Sequence, residues 1–235
     1  MSSSLRAHEL PAVVSFFTWF MERLPLRPSM LDIGCGTGRL LRPLQELGCE
    51  ISGVEPRQSY RERASQLATV YEGDLHHLPV PHPWELLFAI NGPLLYLTRW
   101  QDRAAGLAHC FSALAAGGWL LLELPNFLYL LKNYQAPRWQ TATHKEYELR
   151  RRATHRFDYG AALWLHEERV EWRASGGQER GYTEQYAFAI ITPPELEMML
   201  QRVGFINIEF YRDWSARSQG VSGEQRILVA AQKGK

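Results

Sequence analysis

Residues 31–40 read Leu-Asp-Ile-Gly-Cys-Gly-Thr-Gly-Arg-Leu, an apolar β-prone run that breaks into glycines before a helical pattern resumes. Glycine is needed where the backbone turns tightly and a ligand approaches the main chain without a Cβ in the way. A dinucleotide loop of the G-x-G-x-x-G kind would set its third glycine one place later. Here Gly38 comes early and Arg39 stands where that pattern wants glycine, which disfavours a nicotinamide dehydrogenase. Two carboxylates follow at even spacing. Glu55 closes the next β-prone run, 19 residues after Gly36, where an acceptor can take both hydroxyls of a ribose. Asp74 comes 19 residues further on, in Glu72-Gly73-Asp74-Leu75, where a carboxylate can accept from the exocyclic amine of adenine. Ribose and adenine are bracketed, with no phosphate cradle between them.

That combination resembles the class I S-adenosylmethionine-dependent methyltransferases, from about Ser29 to the C-terminus. The resemblance implies that Gly34, Gly36 and Gly38, with Cys35 among them as a small turn residue, line the methionine end of S-adenosylmethionine. It implies that Asp32 stands behind the loop and helps to place the cofactor's amine, and that Glu55 holds the ribose. Asp74 and the Leu75 backbone would frame the adenine, and Asn91, ending the fourth strand, would lie beside the sulfonium and the acceptor.

Methyl transfer from a sulfonium is an in-line displacement whose leaving group is a neutral thioether, so alignment, desolvation and a free lone pair on the nucleophile are the main needs. An amine loses at most one proton before attack, whereas a hydroxyl usually wants a general base or a metal. The segment Asn91-Gly92-Pro93 carries no acidic metal cluster, and it differs from the Asn/Asp-Pro-Pro-Tyr motif of nucleobase-amine and glutamine-amide methyltransferases. Metal-independent transfer to a small molecule, on nitrogen in preference to oxygen, is the expectation. His76, His77 and His82 have no cysteine or spaced acid to complete a site, so no metal is expected there. The alternatives are a tRNA or protein methyltransferase, motivated by Arg150-Arg151-Arg152 with His155-Arg156, and a non-catalytic cofactor-binding activator subunit.

Groups that meet the acceptor must come from outside the cofactor motifs. Tyr96 and His144 are the catalytic candidates; Asn126, Tyr129, Arg156 and Tyr182 are the candidate substrate contacts, with Tyr134 and His155 nearby in sequence. Tyr182 shares its alternating run with Tyr186 and Phe188, where a core role competes with catalysis. Arg156 is the cation whose guanidinium fork could meet a carboxylate or phosphate on the acceptor.

Positioning these residues takes a Rossmann-like seven-stranded, mostly parallel sheet with helices on both faces, because short apolar runs alternate with helical patterns. The predicted strands are 30–33, 51–55, 69–71, 85–90 and 119–123, and then 205–211 and 226–231. Trp100, Ala104, Leu107, Phe111 and Leu114 recur at helical spacing, with Gly117-Gly118 as the expected stop. Thr192 before Pro193-Pro194-Glu195 caps a last helix that stops at Gly204. A small antiparallel β insertion of two or three strands is expected at 155–191, between the fifth strand and the last helix, dividing the chain into 1–154, 155–191 and 192–235. Such an insertion resembles the roof of the acceptor pocket in small-molecule N-methyltransferases, a likeness of topology alone.

Composition agrees with a small-molecule partner. The 235 residues are 46% hydrophobic, and 26 basic against 25 acidic side chains leave a net charge of +1, too little for a protein held to nucleic acid by phosphate neutralisation. Cys35, Cys49 and Cys110 form no C-x-x-C and are odd in number, which fits a reducing cytoplasm. The apolar run 12–20 lacks a cleavage site and is far below membrane-spanning length, so it reads as a buried amphipathic helix. A monomer or homodimer with no membrane partner is expected.

Overall fold

Ser29–Ile33 forms β1, buried along its whole length, as an apolar strand must be when helices cover both faces of a parallel sheet. The computed structural model describes residues 9–79, 83–144, 147–174, 177–220 and 225–235. Parallel neighbours flank β1: β2 (Glu50–Val54) on one side and β4 (Trp84–Ala89) on the other, with β3 (Val70–Tyr71) beyond β2 and β5 (Leu114–Pro125) beyond β4. β11 (Arg226–Lys233) pairs antiparallel to β5, and β10 (Phe205–Tyr211) antiparallel to β11. The order β10-β11-β5-β4-β1-β2-β3 is the expected seven-stranded, mostly parallel sheet.

Helices cover both faces. On one, α1 (Leu10–Phe20) buries Val13, Phe16, Phe17 and Phe20 at i, i+3, i+4 and i+7 against Phe88, Trp119, Tyr211 and Trp214. The short helices α2 (Leu41–Glu46) and α3 (Gln58–Ala64) share that layer through Leu41, Leu44 and Ala64. On the other face lie α4 (Trp100–Ala113) and α6 (Pro193–Val203). Thr192 Oγ1 accepts from the Glu195 N–H at 3.4 Å, and Gly204 ends α6 at φ +110°.

Two expectations about α4 change. Its buried stripe is Arg103, Gly106, Leu107, Cys110 and Ala113, while Trp100 is exposed. Gly106 comes to the interface because a Cβ there would meet Leu97 Cδ1 at 3.0 Å and Leu75 Cβ at 3.3 Å. The helix also ends before Gly117-Gly118, and these glycines lie within β5, where pairing with β4 slips between Trp84 and Leu86. Gly117 at φ +75° accommodates that irregularity.

After β5 comes the short α5 (Phe127–Lys132), then a second sheet of four antiparallel strands: β6 (Gln140–His144), β7 (Tyr147–Asp158), β8 (Leu163–Ala174) and β9 (Arg180–Ala189). It starts at Gln140, earlier than the expected 155, and has four strands instead of two or three. Trp164, Phe157, Phe188 and Ala189 join the core around α4 and α6, so the base of the second sheet is continuous with the main core.

Candidate active site

The glycine loop hangs from the end of β2. Gly34 and Cys35 both donate their N–H groups to the Val54 carbonyl, at 2.8 and 3.0 Å, so the loop folds back over the strand that ends in Glu55. Gly34, Gly36 and Gly38 all have positive φ, a conformation that disfavours side chains. They differ in surroundings. A Cβ on Gly38 would press on Leu41, Ala64 and Leu67, whereas one on Gly36 would enter open space. Cys35 packs over Gly53, whose missing Cβ makes room for the sulfur.

Glu55 is buried and ties this loop to the next helix. Its Oε2 accepts from the Gly36 N–H and its Oε1 from the Arg57 N–H, both at 2.9 Å. Asp32 is buried close by; desolvation and the Glu55 charge push its carboxyl up to about 8. Asp74 lies just beyond β3, where its Oδ1 accepts from the His76 and His77 N–H groups at 2.8 and 3.1 Å. Leu75 beside it is buried, and its carbonyl meets His109 Nδ1 at 3.2 Å.

β4 ends in a left-handed turn at Asn91 (φ +66°) and Gly92 (φ +73°), from which a 3-10 turn, Pro93–Tyr96, descends. Glu123 on β5 holds that turn: its Oε2 accepts from the Asn91 N–H at 2.7 Å, and its carbonyl accepts from the Gly92 N–H at 2.9 Å. Arg226 pairs with Glu123 at 3.4 Å and with Glu9, before α1, at 2.7 Å. Burial nonetheless outweighs Arg226 and raises the Glu123 pKa.

The second sheet meets this region through one face. Alternation along the strands sets His155, His166 and Tyr186 in one cross-strand row, next to the row Phe157, Trp164 and Phe188. Tyr96 packs edge-on against Phe188 and Tyr186, at centroid distances of 4.8 and 6.0 Å. His155 Nε2 and His166 Nδ1 stand 2.9 Å apart, and Tyr134 and Trp164 flank His155. Arg57 Nη2 donates to Tyr186 Oη at 2.7 Å and lies 3.4 Å from Glu184 Oε1.

The remaining acceptor-side expectations fare differently. Asn126 precedes α5 and Tyr129 lies within it, half-buried, under the sheet that Phe127 meets through Trp164. Tyr182 is on the same side as Tyr186 but toward the rim, 48% exposed. Arg156 lies on β7 in the second sheet. It neighbours His155 along β7, so its side chain projects from the other face of the strand; Arg156 lines a depression of about 600 Å³ that His155, His166, Glu167 and Tyr186 also border. His144 ends β6, and its side chain is outside the described residues; His82 is outside them too. Arg150 and Arg151 are held by Glu171 and Glu168 across the sheet. Among the described residues no group of three His, Cys, Asp or Glu could hold a metal, and no helix is long and apolar enough to cross a membrane.

Residues 30–118 match the family described as a methyltransferase domain. The matched segment holds the glycine loop, Glu55, Asp74 and Asn91, and its likeness is to that domain. No curated protein matches the chain by sequence. Among solved structures, it is similar to the sugar N-methyltransferase KedS8 from a Streptoalloteichus species, with TM-score 0.82, 18% identity, and coverage of 98% of this chain and 90% of that one. It is also similar to CalS10 from Micromonospora echinaspora, described as a SAM-bound amino pentose methyltransferase, with TM-score 0.74, 16% identity, and coverage of 98% and 93%. A Clostridium acetobutylicum S-adenosylmethionine-dependent methyltransferase matches with TM-score 0.77, 14% identity, and coverage of 96% and 92%. At such identities the likeness is one of fold.

Sequence reasoning missed Arg57, Glu123, His166, Glu184 and Tyr186 as parts of this region. The alternating runs around His166 and around Tyr186 were the available signals for the last three. Arg57 and Glu123 offered none, since each acts through a hydrogen bond to a partner far away in sequence or in another element.

Proposed function

We propose that the protein transfers a methyl group from S-adenosylmethionine to a nitrogen of a small-molecule acceptor, held between the glycine-loop end of the large sheet and the inner face of the second. The observation that carries this reading is Gly36: its Cα faces open space at φ +58° while its N–H engages the Glu55 carboxylate. This is a cradle that a Cβ would fill, next to an acceptor for hydroxyl groups.

Gly34, Cys35, Gly36 and Gly38 would shape the methionine end of the cofactor site, Asp32 would face its amine, Glu55 the ribose, and Asp74 with Leu75 the adenine. When bound, S-adenosylmethionine supplies an electrophilic methyl group on a sulfonium sulfur. The chain's own contribution is alignment and exclusion of water. Asn91, held by Glu123, borders the methyl site, and Tyr96 covers it from the second sheet's side. Desolvation raises the Tyr96 pKa, which suits its phenol O–H to donate a hydrogen bond there. His155 Nδ1 is buried without a hydrogen-bond partner among the described residues, which suits an acceptor N–H or O–H. His155 and His166 are both depressed to about 4 by burial, so at neutral pH this face carries no imidazolium to repel an ammonium. The description of two similar structures as a sugar N-methyltransferase and an amino pentose methyltransferase supports an amine on a sugar-like acceptor.

Calorimetry with S-adenosylhomocysteine tests the cofactor half, and methyl transfer to matched amine and hydroxyl acceptors, amino sugars included, tests the rest. Glu55→Ala and Asp74→Ala should each weaken binding by about 1 to 3 kcal/mol, since each removes charged-acceptor hydrogen bonds. Transfer to hydroxyls alone would overturn the nitrogen assignment.

A further inference from the structure

Arg57 occupies an unusual position between the two sheets. Its main chain belongs to the cofactor side: the Arg57 N–H is held by Glu55 Oε1 at 2.9 Å, and the other oxygen of that carboxylate holds Gly36. Its side chain belongs to the acceptor side, where Nη2 donates to Tyr186 Oη at 2.7 Å and pairs with Glu184. Tyr186 in turn donates to Glu184, so the guanidinium, the phenol and the carboxylate close a three-membered network on β9. The guanidinium also lies over the rings of Tyr60 and Tyr186, at 5.6 and 6.0 Å from their centroids, which limits its freedom to swing away. From Tyr186 the same strand row continues to His166 and His155.

We propose that Arg57 is a positioning residue that couples the ribose site to the acceptor-side sheet through Tyr186 and Glu184, so that binding the nucleoside of the cofactor orders β9. The inference rests on the cofactor assignment proposed above. A ribose on Glu55 fixes the carboxylate, the carboxylate fixes the Arg57 backbone, and the side chain fixes β9. Coupling between two sites is reciprocal: whatever binding at Glu55 does for β9, the contacts on β9 must do for binding at Glu55. Residues of the second sheet therefore influence cofactor affinity through Arg57, and the sheet settles over the acceptor when the cofactor is in place.

The test uses S-adenosylhomocysteine with the full chain, reading its affinity by calorimetry and the backbone hydrogen exchange of residues 180–189 with and without it. In the wild type the compound should slow exchange in that segment. Arg57→Ala, Tyr186→Phe and Glu184→Gln should each lose that protection and each weaken affinity by about fivefold, the lower end of ordinary coupling strengths. The double variant Arg57→Ala/Tyr186→Phe should be no weaker than Arg57→Ala alone, because both changes break one connection. Additive losses would mean that Tyr186 acts on the ligand independently, and would overturn the proposal. So would unchanged affinity in Arg57→Ala, or protection of 180–189 that survives it. Arg57→Lys keeps the charge but loses the planar fork, and should recover part of the affinity; thermal melting of each variant identifies any loss that is merely unfolding. If the wild type does not bind S-adenosylhomocysteine, the cofactor assignment falls and takes the coupling with it; binding without coupling overturns the coupling alone.

Discussion

Glu123 reaches from β5 to accept the Asn91 backbone N–H at 2.7 Å, fixing a left-handed turn at the end of the neighbouring strand. The same carboxylate pairs with Arg226, which continues to Glu9 and so to the start of α1. Glu123→Ala should lower stability by about 2 to 3 kcal/mol, because it leaves a part-buried N–H and a part-buried guanidinium short of a partner. Glu123→Gln keeps an oxygen for Asn91 and should lose about 1 kcal/mol. Urea unfolding of the two variants checks this; equal losses would mean that the hydrogen bond to Asn91 is not what the carboxylate supplies.

Gly36 and Gly38 separate two uses of glycine in one loop. Gly38→Ala would set a Cβ 2.9 Å from Leu41 Cδ1 and 3.1 Å from Ala64 Cβ, besides forcing a left-handed side-chain residue, so it should lower stability by about 2 to 4 kcal/mol. Gly36→Ala meets no atom and should lower stability by only about 1 to 2 kcal/mol, yet weaken S-adenosylhomocysteine more than about tenfold by filling the cradle. Melting and calorimetry on both variants give the two orders. The same order in both measurements would show that Gly36 faces no ligand.

The meeting of the glycine loop with Glu55 was legible because both sit at strand ends, where a parallel sheet brings residues 19 apart to one edge: Gly36 and Glu55 touch for this reason. The second sheet was half legible. From Leu163 to Glu167, buried Trp164 and His166 alternate with more exposed neighbours, but among the described residues from Gln140 to Arg152 none is buried, so no apolar period marks β6 or the start of β7. Gly117-Gly118 misled because a strand irregularity uses the same residue type as a helix stop. Arg156 was chosen for its charge, and the sequence does not show that its register partner on β8 is Leu165.

Asp32 predicts a pH dependence. In the folded chain its carboxyl titrates at about 8, pushed up by burial and then by Glu55, against about 4 when unfolded. Between those values the folded state holds a proton that the unfolded state has lost, so this group's effect on stability worsens as pH rises through the window. Asp32→Asn carries no such proton, and the ligand-free variant should gain on the wild type steadily from about pH 4 to about pH 8. A pH-independent gap in urea unfolding would refute this. A cationic amine beside the carboxyl favours its ionised form, so S-adenosylhomocysteine binding at pH 7 should release a proton, seen as a buffer-dependent binding enthalpy.

His155 and His166 predict the opposite slope. Their 2.9 Å nitrogen contact needs one N–H and one lone pair, an arrangement two imidazolium rings cannot provide, and burial depresses both to about 4 from 6.5. As pH falls, the unfolded chain takes up these protons first. The stability they contribute is therefore complete above about 6.5 and is lost as pH drops to about 4. Asp32 acts in the same window with the other sign, but it is common to the wild type and to His155→Gln/His166→Gln and cancels in their difference. The double variant should therefore gain on the wild type as pH falls from 6.5 to 4, and the two imidazole resonances of the wild type should titrate with midpoints near 4. Midpoints near 6.5 would place both rings in water, and the face they share with Tyr186 would then lose its claim to be the neutral roof of the acceptor site.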